Sequence, residues 1–597
     1  MASGAGKKLV LVIVSMALIY GCAKVSTPTG GPRDLMPPVM LKMVPADGTV
    51  LFTGKEFTVT FDEYFILEKV DEKFMVSPPM DKKPEIVIKG KELIVKLTSE
   101  MKENTTYTFY FQDAIRDNNE RNPINNFQFV VSTGSYVDSL SVTGNAYIAN
   151  NLEPAAGYLV LMYSNLTDTA VYKMLPDYIT RTDAAGNYRI NNVKPGVYNI
   201  YALEDANGNK KYNFPEEGFG FLSGPIEISE EKNWLPVVAD TVVIRPTLQK
   251  TQAPAVAKEI KGEYPIYTFK ALQTRQYMKA SERKSAGQLL FAFNLPLDSG
   301  QFEIRSVEGE FPQSVRYDSK GADTIIFWMK DSIDYQKAEH SFIVSYPFTD
   351  TTSTLVTNSD TILMRFIEPR RPVAAREKEK LDISFNARGR EISPAHKLAF
   401  VGKVPLVITD PSLLKIWETK DSTRKLINNA LVADTTDPRR VGLEVSLQEK
   451  KSYQIMMEPG AVADIYGLAN DTISVVVNVR SEEDYGRVKA VISSSPGRLI
   501  VQLLDSQERV VAEQIIDGDE TADFRLVERG KYRIRAVHDI DGNGKWSTGN
   551  PKTGVLPEPV TYYPEELDVK INWEIQQEWD VSQFYFKKAE MKTIKKQ

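Results

Sequence analysis

Two short acidic loops hold the residues best suited to chemistry. Asp539, Asp541 and Asn543 stand at positions 1, 3 and 5 of a calcium-loop pattern, with Gly544 at position 6. Alternate side chains of a tight loop turn inward, so oxygens two residues apart can converge on one hard cation. Position 12, where a bidentate glutamate is usual, is Asn550. Earlier in the chain Asp205, Asn207 and Asn209 repeat the spacing, and Glu216 does fall at position 12. There Lys210 replaces the glycine and Lys211 adds positive charge. Each copy lacks a different part. Two readings stay open: a weak calcium site, or an Asx-rich turn that satisfies itself without an ion.

Other chemistry finds little to work with. His340, His396 and His538 are the only imidazoles, too dispersed for a usual zinc site. His538, beside Asp539, is the one that could enter a Ser–His–Asp arrangement, yet no G-x-S-x-G elbow is present. With 79 acidic residues, some close carboxylate pair arises by chance, so pairs say nothing about glycoside cleavage. Trp234, Trp328, Trp417, Trp546, Trp573 and Trp579 could stack on sugars, but tryptophan on β-sandwiches is more often core or partner-facing. A formal charge of −6 gives no footprint for nucleic acid. The expectation is a non-catalytic protein.

Cys22 is the single cysteine, so no intramolecular disulfide can form. Lys7 and Lys8 precede an apolar run from Leu9 to Ile19, about half the roughly twenty residues a membrane helix needs. Ile19-Tyr20-Gly21-Cys22 closes it. This resembles the lipobox of bacterial lipoproteins, which implies a signal peptide at 1–21 and a lipidated Cys22. Residues 22–36 are rich in Pro, Gly, Ser and Thr and read as a flexible tether.

What must position the loops is a set of strands. About 575 residues remain after the signal, too many for one core. Short alternating runs such as Phe57-Thr58-Val59-Thr60-Phe61 and Glu92 to Leu97 favour an all-β fold of tandem β-sandwich domains. Over 37–134, Val59 to Glu63, Asn104 to Tyr107 and Ala114-Ile115-Arg116-Asp117 resemble a bacterial Ig-like module, with Glu120 where that hairpin usually has glycine. Over 135–247, Thr182-Asp183-Ala184-Ala185-Gly186-Asn187-Tyr188 and Pro195-Gly196-Val197-Tyr198 are similar to the transthyretin-like, carboxypeptidase-regulatory sandwich. A diverged Ig-like unit is expected at 248–372. A third Ig-like unit follows at 373–487, with the glycine restored at Gly467. A second transthyretin-like unit spans 488–582, where RGKYRIRAVHDIDGNGKW replays PGVYNIYALEDANGNKKY. The basic tail at 583–597 reads as a frayed end or a dock for an anionic surface.

The whole order, with T-P-T-G-G-P-R-D-x-x-P-P-V at 27–39, resembles the large Ig-like lipoproteins of the Bacteroidota. That resemblance implies a lipid-anchored outer-membrane protein, with the cell surface the expected face; Ala23-Lys24-Val25-Ser26 stands where that group often has the acidic stretch marking surface export, so the periplasmic face stays open. Its role would be a scaffold or accessory subunit touching other envelope proteins. A glycan-binding or glycan-processing lipoprotein is the alternative.

Overall fold

The computed structural model describes residues 34–229, 234–236, 258–260, 264–367, 380–387, 391–420 and 423–582. Cys22, the signal-like run, most of the tether and the tail at 583–597 lie outside the described residues. The fold is all-β, a string of sandwiches, as the alternating runs predict. Among the described residues no helix is long and apolar enough to cross a membrane.

In the first module Glu56–Phe61 sits between Met40–Val44 and Glu92–Lys96 in one sheet, and Thr106–Gln112 between Met75–Ser77 and Phe127–Ser132 in the other. Period-two alternation sends Phe57, Val59 and Phe61 inward against Phe109, Phe111 and Phe129. The fourth module, built on Leu414–Lys420, Ser452–Met457 and Ile473–Val479, repeats two local devices. Tyr107 and Tyr453, both buried, each accept a hydrogen bond from an amide five residues back, that of Lys102 at 2.7 Å and of Gln448 at 2.8 Å. Asp117 and Asp464 each cap a hairpin turn. Asp464 takes the amides of Tyr466 and Leu468, with Gly467 at φ +87°. Asp117 takes four, from Asn119 to Asn122, because its turn is one residue longer and Arg121 occupies the left-handed position at φ +65°. Burial pushes the Asp117 carboxyl up, but those four amides outweigh it and hold it below the usual range. The extra residue moves the left-handed position from Glu120, the place where Gly467 stands in the other copy, to Arg121.

The second and fifth modules share one strand plan. Leu140–Ile148 pairs antiparallel with Asn187–Val193 and parallel with Lys258–Ile260; Gly486–Ser493 pairs likewise with Thr521–Val527 and Glu574–Asp580. In the facing sheets Leu159–Tyr163 and Arg498–Leu504 hold the same place beside Gly196–Leu203 and Gly530–His538. Tyr198 and Tyr532 each donate to a carbonyl four residues back, Lys194 at 3.0 Å and Glu528 at 2.9 Å, which fixes the entry to the strand that each Gly-x-Tyr begins. The expected boundary at 247 falls inside the second module's sheets. Ile266–Phe269 pairs with both Leu140–Ile148 and Phe219–Phe221, so the third module begins only near Gln276.

In the fifth module Arg487 grips Asp523 with both nitrogens, at 2.7 and 2.6 Å. The Arg487 guanidinium, aided by Arg525, holds the Asp523 carboxyl down at about 2. A depressed folded-state value contributes stability above the ordinary carboxylate range that is lost as pH falls through about 2. Asp523→Asn is therefore expected to lower the unfolding midpoint at neutral pH, with the gap to the parent closing between pH ~4 and ~2. Thermal scans across that window check it; a gap independent of pH would assign the loss to packing.

Candidate functional site

The two acidic loops lie at equivalent places, each leaving the C-terminal end of a central strand, Gly196–Leu203 or Gly530–His538. In the first, Asp205 is satisfied by the chain itself. Its Oδ1 accepts from the amides of Gly208 at 2.9 Å and Asn209 at 3.2 Å, and its Oδ2 from that of Lys210 at 2.9 Å. Asn207 and Asn209 accept from the amides of Asn209 and Lys211. Lys210 takes the left-handed position, φ +59°, that Gly544 takes in the other copy at φ +74°. Glu216 does not turn into the loop: it is exposed and bonded to Gln273. Its neighbour Glu217 is the buried acid, accepting at Oε2 from the amides of Asn213 and Phe214, while Oε1 is buried with no donor.

The second loop is less self-sufficient. The Asp539 side chain has no solvent exposure, and its Oδ2 accepts from the Gly544 amide at 3.1 Å with Arg498 Nε 3.2 Å away. Its Oδ1 is buried without a donor. Asp541 accepts at Oδ2 from Ser547 Oγ at 2.6 Å and at Oδ1 from the Asn543 amide at 3.0 Å. Those two bonds lead in holding its carboxyl below the usual range. Asn543 Oδ1 faces the Lys545 amide, and Asn550 forms a bridge with Val555 away from the acids. The third acid is Glu558, 5% exposed, whose Oε1 accepts from the Ile540 amide at 2.6 Å and whose Oε2 accepts from the Ser547 amide at 2.8 Å. Oxygens of Asp539, Asp541 and Glu558 all lie within 4.8 Å of one another.

Neither Glu217 nor Glu558 is visible from loop numbering. The signal that finds them is the strand that follows. Each stands two residues before the strand returning beside the central one, Phe219–Phe221 or Val560–Tyr562. Loop lengths differ between the copies, so counting to position 12 fails while counting back from the strand succeeds.

The remaining candidates stay apart. His340, His396 and His538 fall in the third, fourth and fifth modules; His340 is buried, which pushes its imidazole down, and its Nε2 lies 2.8 Å from the Asp334 carbonyl. Trp328 and Trp579 are buried, and Trp573 is exposed under the Lys570 ammonium, 4.5 Å from its ring centre. The side chain of Trp234 lies outside the described residues.

The fold defines a multi-domain protein of tandem β-sandwiches, and residues 34–133 match the bacterial Ig-like domain family. No curated protein matches the chain. Among solved structures it is similar to native alpha-2-macroglobulin from Escherichia coli, at 13% identity over 44% of this chain and 93% of that one, TM-score 0.19. It is also similar to BcpA, the major pilin subunit of Bacillus cereus, at 11% identity over 74% and 98%, TM-score 0.14. The S-layer protein rSbsC is similar at 11% identity over 84% and 65%, TM-score 0.13.

Proposed function

We propose that this chain is a non-catalytic, lipid-anchored scaffold of a bacterial outer membrane, its modules docked into one body that presents surfaces to other envelope proteins. One observation carries the reading. The two repeat modules, far apart in sequence, close on each other through a buried apolar seam of Leu152 against Ile500, Leu504, Val537, Val560 and Tyr562. Arg535 Nη1 donates across it to the Asn150 carbonyl at 2.8 Å, and Thr548 Oγ1 to the Lys270 carbonyl at 2.7 Å. The first module is seated similarly on the second. Met75 enters an apolar cluster with Leu159, Leu161 and Tyr163, and Ser77 Oγ accepts from the Ile179 amide at 3.0 Å. Sandwiches that bury an outer sheet face against a sibling suit a body that holds its shape, and Cys22 would supply its acyl hook.

Cys22→Ser is expected to move the protein from the membrane fraction to the soluble fraction of its native cells, checked by fractionation and blotting. Affinity purification of the parent protein from detergent-solubilised membranes is expected to bring stoichiometric envelope proteins with it. Retention of the variant on membranes, or turnover of a glycan by the purified protein, would end this reading.

A further inference from the structure

We infer that the second acidic loop is a divalent-cation site, of calcium type, that fastens the loop against the second module. The donor set is three carboxylates and no nitrogen or sulfur, the chemistry of a hard cation. Opposed donors on a calcium ion at about 2.4 Å stand about 4.8 Å apart. The oxygens of Asp539, Asp541 and Glu558, none farther than 4.8 Å from another, fit around one such ion.

A cluster of acids alone would not justify a ligand; the orphaned oxygen does. Asp539 is 3% exposed, its carboxyl lies against that of Asp541, and its Oδ1 has no donor. A buried carboxylate oxygen without a donor is costly unless something positive meets it. Arg498 meets only the other oxygen, and its Nε makes no aligned hydrogen bond there. One guanidinium against three carboxylates leaves two negative charges, which matches a divalent ion. The first loop marks the contrast. Asp205 takes three amides on its two oxygens, its neighbours in the pattern are neutral asparagines, and Lys210 and Lys211 follow. Glu217 Oε1 lacks a donor in the first copy too, but there, among the described residues, no set of three acids converges; that happens only at Asp539, Asp541 and Glu558.

The site sits where an ion would matter for docking. Trp546 donates from Nε1 to the Glu558 carbonyl at 3.0 Å and packs on the seam. Thr548 bonds Lys270, and at Gly549 a Cβ would stand 2.5 Å from the Phe269 ring, so the loop touches the second module directly. Drawing Asp539, Asp541 and Glu558 onto one ion ties both ends of this loop to its strands.

The test uses full-length protein in detergent, with terbium as probe. Trp546 lies in the loop, whereas the first copy has Tyr212 at that place, so excitation beyond tyrosine absorption reports on the second loop. Terbium emission is expected to saturate and to be displaced by calcium. Asp541→Asn is expected to weaken calcium at least about tenfold, and Asp205→Asn to leave it unchanged. Trp546→Phe is expected to abolish sensitised emission while calorimetric calcium binding persists. Tryptic cleavage at Lys545 and Lys552 is expected to slow at least about fivefold in calcium relative to chelator. The unfolding midpoint of Asp541→Asn in chelator serves as the control for folding. Emission that calcium does not displace, equal calcium affinity in Asp541→Asn, or cleavage rates indifferent to calcium would overturn the inference. None of these outcomes depends on the membrane anchor.

Discussion

Val537→Asp is expected to destabilise the protein by about 4 kcal/mol, because it places a charge in an apolar seam whose nearby cation, Arg535, is already held by Gln502 and the Asn150 carbonyl. Val537 is fully buried although it lies on the face of Gly530–His538 opposite the module's own core. Tyr532, Ile534 and Ala536 fill that core; Arg535 and Val537 look the other way. If the two repeat modules are docked in solution, the aspartate must either separate them or be buried uncompensated. Denaturant unfolding of the parent and variant gives the magnitude, and limited proteolysis shows whether the second and fifth modules become separately accessible. Val510→Asp, on the exposed edge strand Val510–Asp517, is the matched control and is expected to stay within about 0.5 kcal/mol. Equal midpoints for Val537→Asp and Val510→Asp would show that the seam is open.

The second large effect is expected in the third module. Arg283 is 7% exposed, and its guanidinium donates to carbonyls alone: Ala286 at 3.0 and 2.7 Å, Tyr335 and Lys337 at 2.8 Å, and Ala338 at 3.2 Å. Burial pushes this guanidinium down from its ordinary range, but five bonds keep the charge worth burying. It ties the turn between Met278–Ser285 and Gln288–Phe293 to the segment after Ser332–Tyr335. Arg283→Met keeps most of the side-chain volume and removes every donor, leaving four carbonyls short. A loss of about 3 to 5 kcal/mol is expected by denaturant unfolding, with Arg283→Lys intermediate because an ammonium cannot reach all four. A neutral Arg283→Met would mean that water replaces the guanidinium.

Much of this was legible from particular residues. The alternation of Phe57, Val59 and Phe61 announced a strand with one buried face, since a period of two admits nothing else. The conserved spacing of the two long repeat segments announced a duplicated unit, and the Gly-x-Tyr within each now has its reason in the tyrosine hydroxyl bond. Leu499 to Leu504 is apolar at every position but Gln502, so both faces of the strand are apolar, and every residue of that run is buried. Leu499, Val501 and Leu503 face the module's core, whereas Ile500 and Leu504 face another module. A strand pattern records that a face is apolar; it does not record what covers it.

The local devices follow from chain order: strand periods, turn residues, capping aspartates and the equivalence of the two acidic loops. These depend on φ and ψ preferences and on neighbours within a few residues, all carried by the chain order. Long-range packing is what makes Ile266–Phe269 complete the second module, brings Glu558 rather than Asn550 to Asp539 and Asp541, and makes the two repeats meet. Each of these is a contact between segments whose separation along the chain carries no period, so only packing, through the apolar surface it buries and the polar groups it must satisfy, selects the partner.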